Sequence, residues 1–363
     1  MTPRKKRAER TIERWGTTEI PPDSSREVRI TLSETYFGVD SKIPVLVWRG
    51  PEPGPTVFVT AAVHGDEING TGAIRQIIAD EPFQLVKGAL VLVPVVNRLG
   101  FERHERYLPD RRDLNRCFPG SASGSLASRL AHAVFREIIP RCDFGIDLHT
   151  AALRRTNFPN VRADMDDPKV AALANAFGNE LIVHGKGPVG SLRRAACKAG
   201  CPTIILEAGE VWKVEPTVLE NAVRGITNVL SWQGMIEREP VRPAYRLIAD
   251  KTRWVRASRG GFLRFHVAPG DIVERGELIA TNTSLTGKEF NTLKAPCDGI
   301  ILGMTTIPSV APGDPVCHLA YASDGSLDKA AIGHAAAKPE SLHERTRDDL
   351  ATGFAVVPTD EDA

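Results

Sequence analysis

Four short apolar runs punctuate the first two thirds of the chain, each ending in polar or glycine residues: TVFVTAAVHG (56–65), ALVLVPVVN (89–97), DFGIDLHT (143–150) and PTIILEAG (202–209). Their length and β-branched content predict buried strands. Between and after them, GTGAIRQIIAD, LASRLAHAVFREII, KVAALANAFGN and TVLENAVRGITNVLSW repeat apolar residues at three- and four-residue spacing, the mark of amphipathic helices. Two further strand-like runs, around Val28 to Thr31 and Ile43 to Trp48, precede the alternation. Strands alternating with helices predict an α/β layer with a largely parallel sheet, in which ligands gather at the carboxyl ends of strands.

From about Pro240 the helical period disappears and short strands broken by glycine and proline take over. VAPGD occurs twice, at 267–271 and 310–314, each time after an alanine and glycine pair (Ala257 and Gly260, Ala295 and Gly299). This is a duplicated β unit. It resembles the barrel-sandwich fold of biotinyl and lipoyl carriers, but Lys288 in TGKEF lacks the carrier-type flanking methionine, which argues against a carrier role. The expected division is a charged segment 1–25, an α/β domain 26–238, a small all-β domain 239–328 and a poorly ordered tail 329–363.

Length adds that 363 residues fit one large and one smaller domain. With 46 basic and 45 acidic residues the formal charge is only +1, so no global field attracts nucleic acid or an anionic membrane; a small molecule is the expected partner, and homo-oligomerisation is left open. None of the six cysteines forms a C-x-x-C pair, and the basic start MTPRKKRAERTIERW has no apolar stretch. Reduced thiols, no membrane span and a cytoplasmic location are expected.

Chemistry concentrates at the strand ends. His64 and Glu67 follow the first run and His149 ends the third. Two histidines and one carboxylate leave one position of a tetrahedral zinc open for water, whereas a structural zinc is closed by four ligands. Hydrolysis then needs a base, and Glu207, which follows three apolar residues, is expected in a partly buried place that raises its proton affinity. In RYLPDRRDLNRCFPG, Arg106, Arg111, Arg112 and Arg116 crowd around Asn115, and guanidinium groups suit bidentate carboxylate recognition.

H-G-D-E, then R-Y…D-L-N-R, then D-L-H, then L-E-x-G, spread over about 55–230, resemble the succinylglutamate desuccinylase and aspartoacylase family, distant relatives of the zinc carboxypeptidases. The resemblance implies a three-layer zinc-carboxypeptidase-like domain with a mixed, largely parallel sheet, plus the barrel-sandwich-like β domain. It implies one zinc per chain on His64, Glu67 and His149, Glu207 as general base and acid, and Arg106 stabilising the oxyanion. Asn115 and Arg116 would hold a substrate carboxylate, and Asp147, two residues before His149, would support that ligand from behind. The activity implied is hydrolysis of the amide of a small N-acyl amino acid. The alternatives are a metallocarboxypeptidase acting on short peptides and a non-catalytic binding protein that kept the fold. Arg193, Arg194 and the pair Cys197 and Cys201 stay without an assigned role.

Overall fold

A computed structural model describes residues 12–34, 40–323, 341–352 and 356–357. After a small hairpin of Arg14–Trp15 and Thr18–Glu19, the strands are β1 (Ser24–Glu34), β2 (Asp40–Arg49), β3 (Glu52–Ala61), β4 (Lys87–Val93), β5 (Phe144–His149), β6 (Arg155–Ala163), β7 (Leu181–His184) and β8 (Thr203–Gly209). The longer helices among them are α1 (Asn69–Asp80), α2 (Leu126–Ile138), α3 (Pro168–Phe177), α4 (Leu192–Lys198) and α5 (Pro216–Trp232). The four apolar runs supply β3, β4, β5 and β8, which lie side by side in the order β4, β3, β5, β8 and run parallel. Antiparallel strands flank this centre: β2 and β1 beyond β4, and β6 beyond β8.

The period of two within each strand divides the core. Val57, Val59 and Ala61 face a cluster with α1, α3 and α5, while Phe58 faces the opposite cluster with α2 and α4. The result is the expected three layers, with both sheet faces covered, as parallel strands require.

The C-terminal region is less separate than a domain boundary at 239 predicts. Its strands are β9 (Leu247–Ala249), β10 (Lys251–Arg256), β11 (Gly261–Phe265), β12 (Ile272–Val273), β13 (Leu278–Thr283), β14 (Glu289–Lys294), β15 (Gly299–Thr305), β16 (Ser309–Val310) and β17 (Pro315–Tyr321). β15 pairs antiparallel with β6, so the main sheet continues through β15 and β17 to β10, and β9 joins it through β7. β12 pairs antiparallel with β15, and the other four strands form a sheet in the order β14, β13, β11, β16. The repeat is visible as two matching turns: Ala268 N–H donates to the Asp271 carboxylate at 2.7 Å and Ala311 N–H to that of Asp314 at 2.8 Å. Gly270 and Gly313 each sit at positive φ, 96° and 92°, where a side chain would be strained.

The tail departs from the poorly ordered segment expected at 329–363. Residues 324–340, 353–355 and 358–363 lie outside the described ones, but Leu342–Ala351 forms a helix, α6, capped by Ser341 and packed on α5 and β6. His343 is buried against Phe158 and Tyr245, Asp349 accepts from Thr217, and Arg345 pairs with Glu220. The low hydrophobic content of this stretch hid a helix that is held by a few specific polar and ring contacts. No helix among the described residues is long and apolar enough to cross a membrane.

Candidate metal centre and pocket

β3 ends in a tight loop that carries His64 and Glu67. Gly65 lets this loop lie against the backbone of 100–101, since a Cβ there would sit 2.1 Å from the Gly100 carbonyl carbon. His149, the last residue of β5, comes up beside it because β5 is the parallel neighbour of β3. His64 Nδ1 lies 2.7 Å from Glu67 Oε1 and His149 Nδ1 2.8 Å from Glu67 Oε2, and all three side chains are buried.

The other nitrogen of each imidazole is held from behind. Asp147, fully buried and fixed by the Thr60 hydroxyl at 2.7 Å, accepts from His149 Nε2 at 2.9 Å. Asp113 lies 3.1 Å from His64 Nε2, and the same oxygen accepts the Asn115 N–H at 2.8 Å. Such carboxylates fix the tautomer and leave Nδ1 as the lone pair. Asp113 was not singled out in the sequence, although it is the aspartate of the D-L-N-R motif. Its signal was an N-cap position ahead of a short helical turn.

These residues fit a divalent cation. Three donor atoms, one each from His64, Glu67 and His149, lie within 4.8 Å of one another. His64 Nδ1 is buried and, despite its closeness to Glu67, makes no hydrogen bond of good geometry. A buried ring nitrogen without a hydrogen-bond partner is what a purely hydrogen-bonded strand cap would not leave, whereas His149 Nδ1 hydrogen-bonds Glu67 Oε2 at 2.8 Å. The charges agree. Burial opposes charging His64 and His149, yet Glu67 with Asp113 and Asp147 respectively outweighs it, raising both proton affinities. Burial likewise opposes ionisation of Glu67, but the two imidazoles hold its carboxyl well below the usual range. A cluster this rich in buried carboxylate calls for positive charge.

Arg106 supplies part of it, donating to Glu67 Oε1 at 2.9 Å and lying 3.4 Å from Asp113. Burial alone would lower its proton affinity, but Glu67 and Asp113 raise it. Glu207 stands on β8 in register with His149, one strand spacing away, about 4.8 Å. Its side chain is partly buried, as the preceding apolar residues led one to expect, but among polar groups. Asn157 Nδ2 donates to Oε2 at 3.2 Å and Arg162 Nε lies 3.5 Å from Oε1.

His64, Glu67, Arg106, Asn115, Arg116, His149 and Glu207 all line one pocket of about 510 Å³. Asn115 is oriented by Leu192 N–H, which donates to its Oδ1 at 2.9 Å, and exposed Arg116 reaches its backbone carbonyl at 2.8 Å. The far wall holds residues that the sequence did not connect with the site: Arg155, Arg162 and Asn157 from β6, Trp254 from β10 and His318 from β17. Trp254 and His318 stack at 4.1 Å, and the Arg155 guanidinium lies 4.8 Å from the Trp254 ring. Arg193 also lines the pocket. It is 4 % exposed, its Nε has no hydrogen-bond partner among the described residues, and burial lowers its proton affinity. Arg194 instead faces solvent and bonds the Gly187 carbonyl. Cys197 bonds Thr203 and Cys201 is buried, so this pair packs rather than forming a redox couple. A larger groove of about 1010 Å³, lined by Trp232, Pro240 and Tyr245 among others, contains none of the convergent groups, so size alone does not locate the site.

Comparison with known proteins agrees with this geometry. The sequence model of the succinylglutamate desuccinylase/aspartoacylase catalytic domain matches residues 53–232. The N-alpha-acetyl-L-2,4-diaminobutyric acid deacetylase of Halomonas elongata is 29% identical over 292 residues, 77% of this chain and 85% of that protein. A succinylglutamate desuccinylase/aspartoacylase structure from Rhodobacter sphaeroides superposes with a TM-score of 0.69 at 28% identity, covering 83% of this chain and 96% of the other. The product-bound ectoine utilization protein EutE (DoeB) from Ruegeria pomeroyi shares the fold, with a TM-score of 0.71 at 23% identity over 84% of this chain and 98% of the other. By matched sequence and by fold, the chain belongs to the succinylglutamate desuccinylase/aspartoacylase family.

Proposed function

We propose that the protein is a zinc-dependent deacylase that hydrolyses the amide bond of a small N-acyl amino acid. The observation that carries this is the placement of a carboxylate, Glu207, in register with His149 across a pocket that also holds the open His64, Glu67, His149 cluster. The deacetylase relative from Halomonas elongata supports the reaction class. His64, Glu67 and His149 would hold one Zn2+, which would supply the Lewis acidity needed to acidify water and polarise the amide carbonyl.

Glu207 takes the proton from the attacking water and returns it to the leaving amine, acting first as base and then as acid. Arg106, held by Glu67 and Asp113 at the pocket wall, places its guanidinium where the carbonyl oxygen gains charge. Asp113 and Asp147 keep both histidines in the tautomer that presents Nδ1. Asn115, Arg116 and Arg193, whose buried Nε has no hydrogen-bond partner among the described residues, receive the substrate carboxylate, because a buried guanidinium nitrogen left unpaired is costly until an anion arrives. The Trp254 and His318 stack narrows the pocket and favours a small substrate over a peptide.

The test is zinc content together with amine release from N-acetyl, N-succinyl and N-formyl amino acids, alongside a dipeptide and a longer peptide. One zinc per chain with chelator-sensitive release from an N-acyl amino acid supports the proposal. Faster cleavage of peptides would replace it with the carboxypeptidase alternative, and Glu207→Gln retaining turnover would remove Glu207 from its role.

A further inference from the structure

Every residue placed so far in the metal and base machinery lies within the matched segment 53–232, yet the platform under Glu207 extends beyond it. β6 lies between β8 and β15 and contains Pro159, which has no N–H to give to the ladder. The strand accommodates it with an irregular register: Glu207 faces Asn160 while Gly209 faces Asn157, so two residues of β6 oppose the single Ala208. An extra residue of this kind re-aims the neighbouring side chains. Asn160 turns its amide to the Glu207 backbone carbonyl at 3.1 Å, and Asn157 turns its amide to the Glu207 carboxylate.

On the opposite side Asn157 meets β15, where its register partner is Gly303. A Cβ at Gly303 would sit 2.5 Å from Asn157 Oδ1 and 2.7 Å from the Thr156 carbonyl oxygen. No side chain fits there without displacing the asparagine. β15 is itself anchored, since Gly270 N–H donates to the Ile301 carbonyl at 2.8 Å and Thr306 N–H to that of Arg154 at 3.0 Å.

Asn157 is the one side chain among the described residues that hydrogen-bonds the Glu207 carboxylate, and it does so only through Oε2. Arg162 Nε, 3.5 Å from Oε1, makes no hydrogen bond of good geometry. We propose that Asn157 is a positioning residue that fixes Glu207 by Oε2 and leaves Oε1 to exchange the proton, and that Gly303 of the C-terminal β region keeps Asn157 in place. The catalytic base therefore depends on a strand outside the matched catalytic segment. This inference rests on Glu207 being the base, as proposed above.

The experiment uses the full-length, zinc-loaded protein. Asn157→Ala is expected to lower kcat about 10- to 100-fold, the scale set by misplacing a reacting group by about an ångström, with KM within about twofold and zinc content unchanged. Asn157→Asp keeps the side-chain shape, replaces the donor with a repelling oxygen, and should lose at least as much. Gly303→Ala should reproduce the kcat loss. An unchanged kcat in Asn157→Asp, or a rise in KM at constant kcat, overturns the proposal. Crystal structures of wild type and Asn157→Ala give a readout without substrate: a displaced Glu207 carboxylate supports the inference and an unmoved one sinks it. The deacylase proposal fails separately, if zinc-loaded wild type hydrolyses no N-acyl amino acid.

Discussion

The two ends of the pocket carry opposite unmet charge. At the metal end, with both imidazoles neutral as metal ligands must be, the carboxylates Glu67, Asp113 and Asp147 outnumber Arg106 beside them, an excess of negative charge. At the other end Arg116, Arg155, Arg162 and Arg193 share the wall with Glu207 alone. There His318 is kept uncharged, pushed down to about 4 by burial and by Arg162 and Arg155. Buried charge is tolerated when paired or when it awaits a partner. One end thus calls for a cation and the other for an anion, which matches a metal and a substrate acid group held on either side of a scissile amide.

The most severe way to break this comparison is to remove a metal ligand. His149→Ala is expected to abolish both zinc binding and turnover, measured by metal content and amine release; catalysis surviving the loss of zinc would mean that the negative end serves something else. Weakening the support behind a ligand should do less. Asp113→Asn is expected to reduce zinc affinity about 10- to 100-fold, read by competition with a chelator, while the fold persists. At the positive end, Arg193→Met should raise KM for a carboxylate-bearing substrate by about 10- to 100-fold, from losing one charge-assisted hydrogen bond. The same variant should leave hydrolysis of the corresponding carboxamide substrate nearly unchanged, and equal losses on both substrates would show that Arg193 is structural.

The last expected effect concerns pH and stability and lies outside the pocket. Burial pushes His343 in α6 down to about 4. Because the unfolded chain takes up its proton first as pH falls, the folded state is fully favoured above about 6.5 and loses stability between about 6.5 and 4. The loss is at most on the order of 3 kcal/mol. Urea unfolding at pH 7 and at pH 4.5 should show a smaller difference in His343→Phe than in wild type; an equal difference would assign the acid sensitivity to other groups.

Much of the site could be read along the chain because its parts end strands. His64 and Glu67, His149 and Glu207 each follow an apolar run, and parallel neighbours bring such ends together at one edge of the sheet. Asp147 was reachable from the two-residue period of a strand, which sends it to the same side as His149. Arg193 was visible only as one arginine among many, and the burial of its Nε without a hydrogen-bond partner among the described residues is a tertiary fact. Trp254 and His318 were out of reach, because nothing in two residues 64 apart reveals that they stack on neighbouring strands.

The C-terminal region shows the same divide. Its duplicated VAPGD turns were legible, since the glycine and aspartate chemistry of a turn is local. That β15 continues the main sheet and presents Gly303 to Asn157 was not, because strand pairing between distant segments depends on register. The helix at 342–351 was missed for a related reason: its contacts with Glu220, Thr217 and Tyr245 are long-range, and they outweigh a composition that reads as unstructured. The sequence by itself determined the four parallel strands β3, β4, β5 and β8, the helices α1, α2, α3 and α5, and the place of His64, Glu67, His149 and Glu207 at strand ends, all of which follow from short-range periodicity and residue chemistry. Tertiary structure alone decided the cationic far wall and the support under Glu207, because those arise from side chains that meet only after the sheet has closed across the domain boundary.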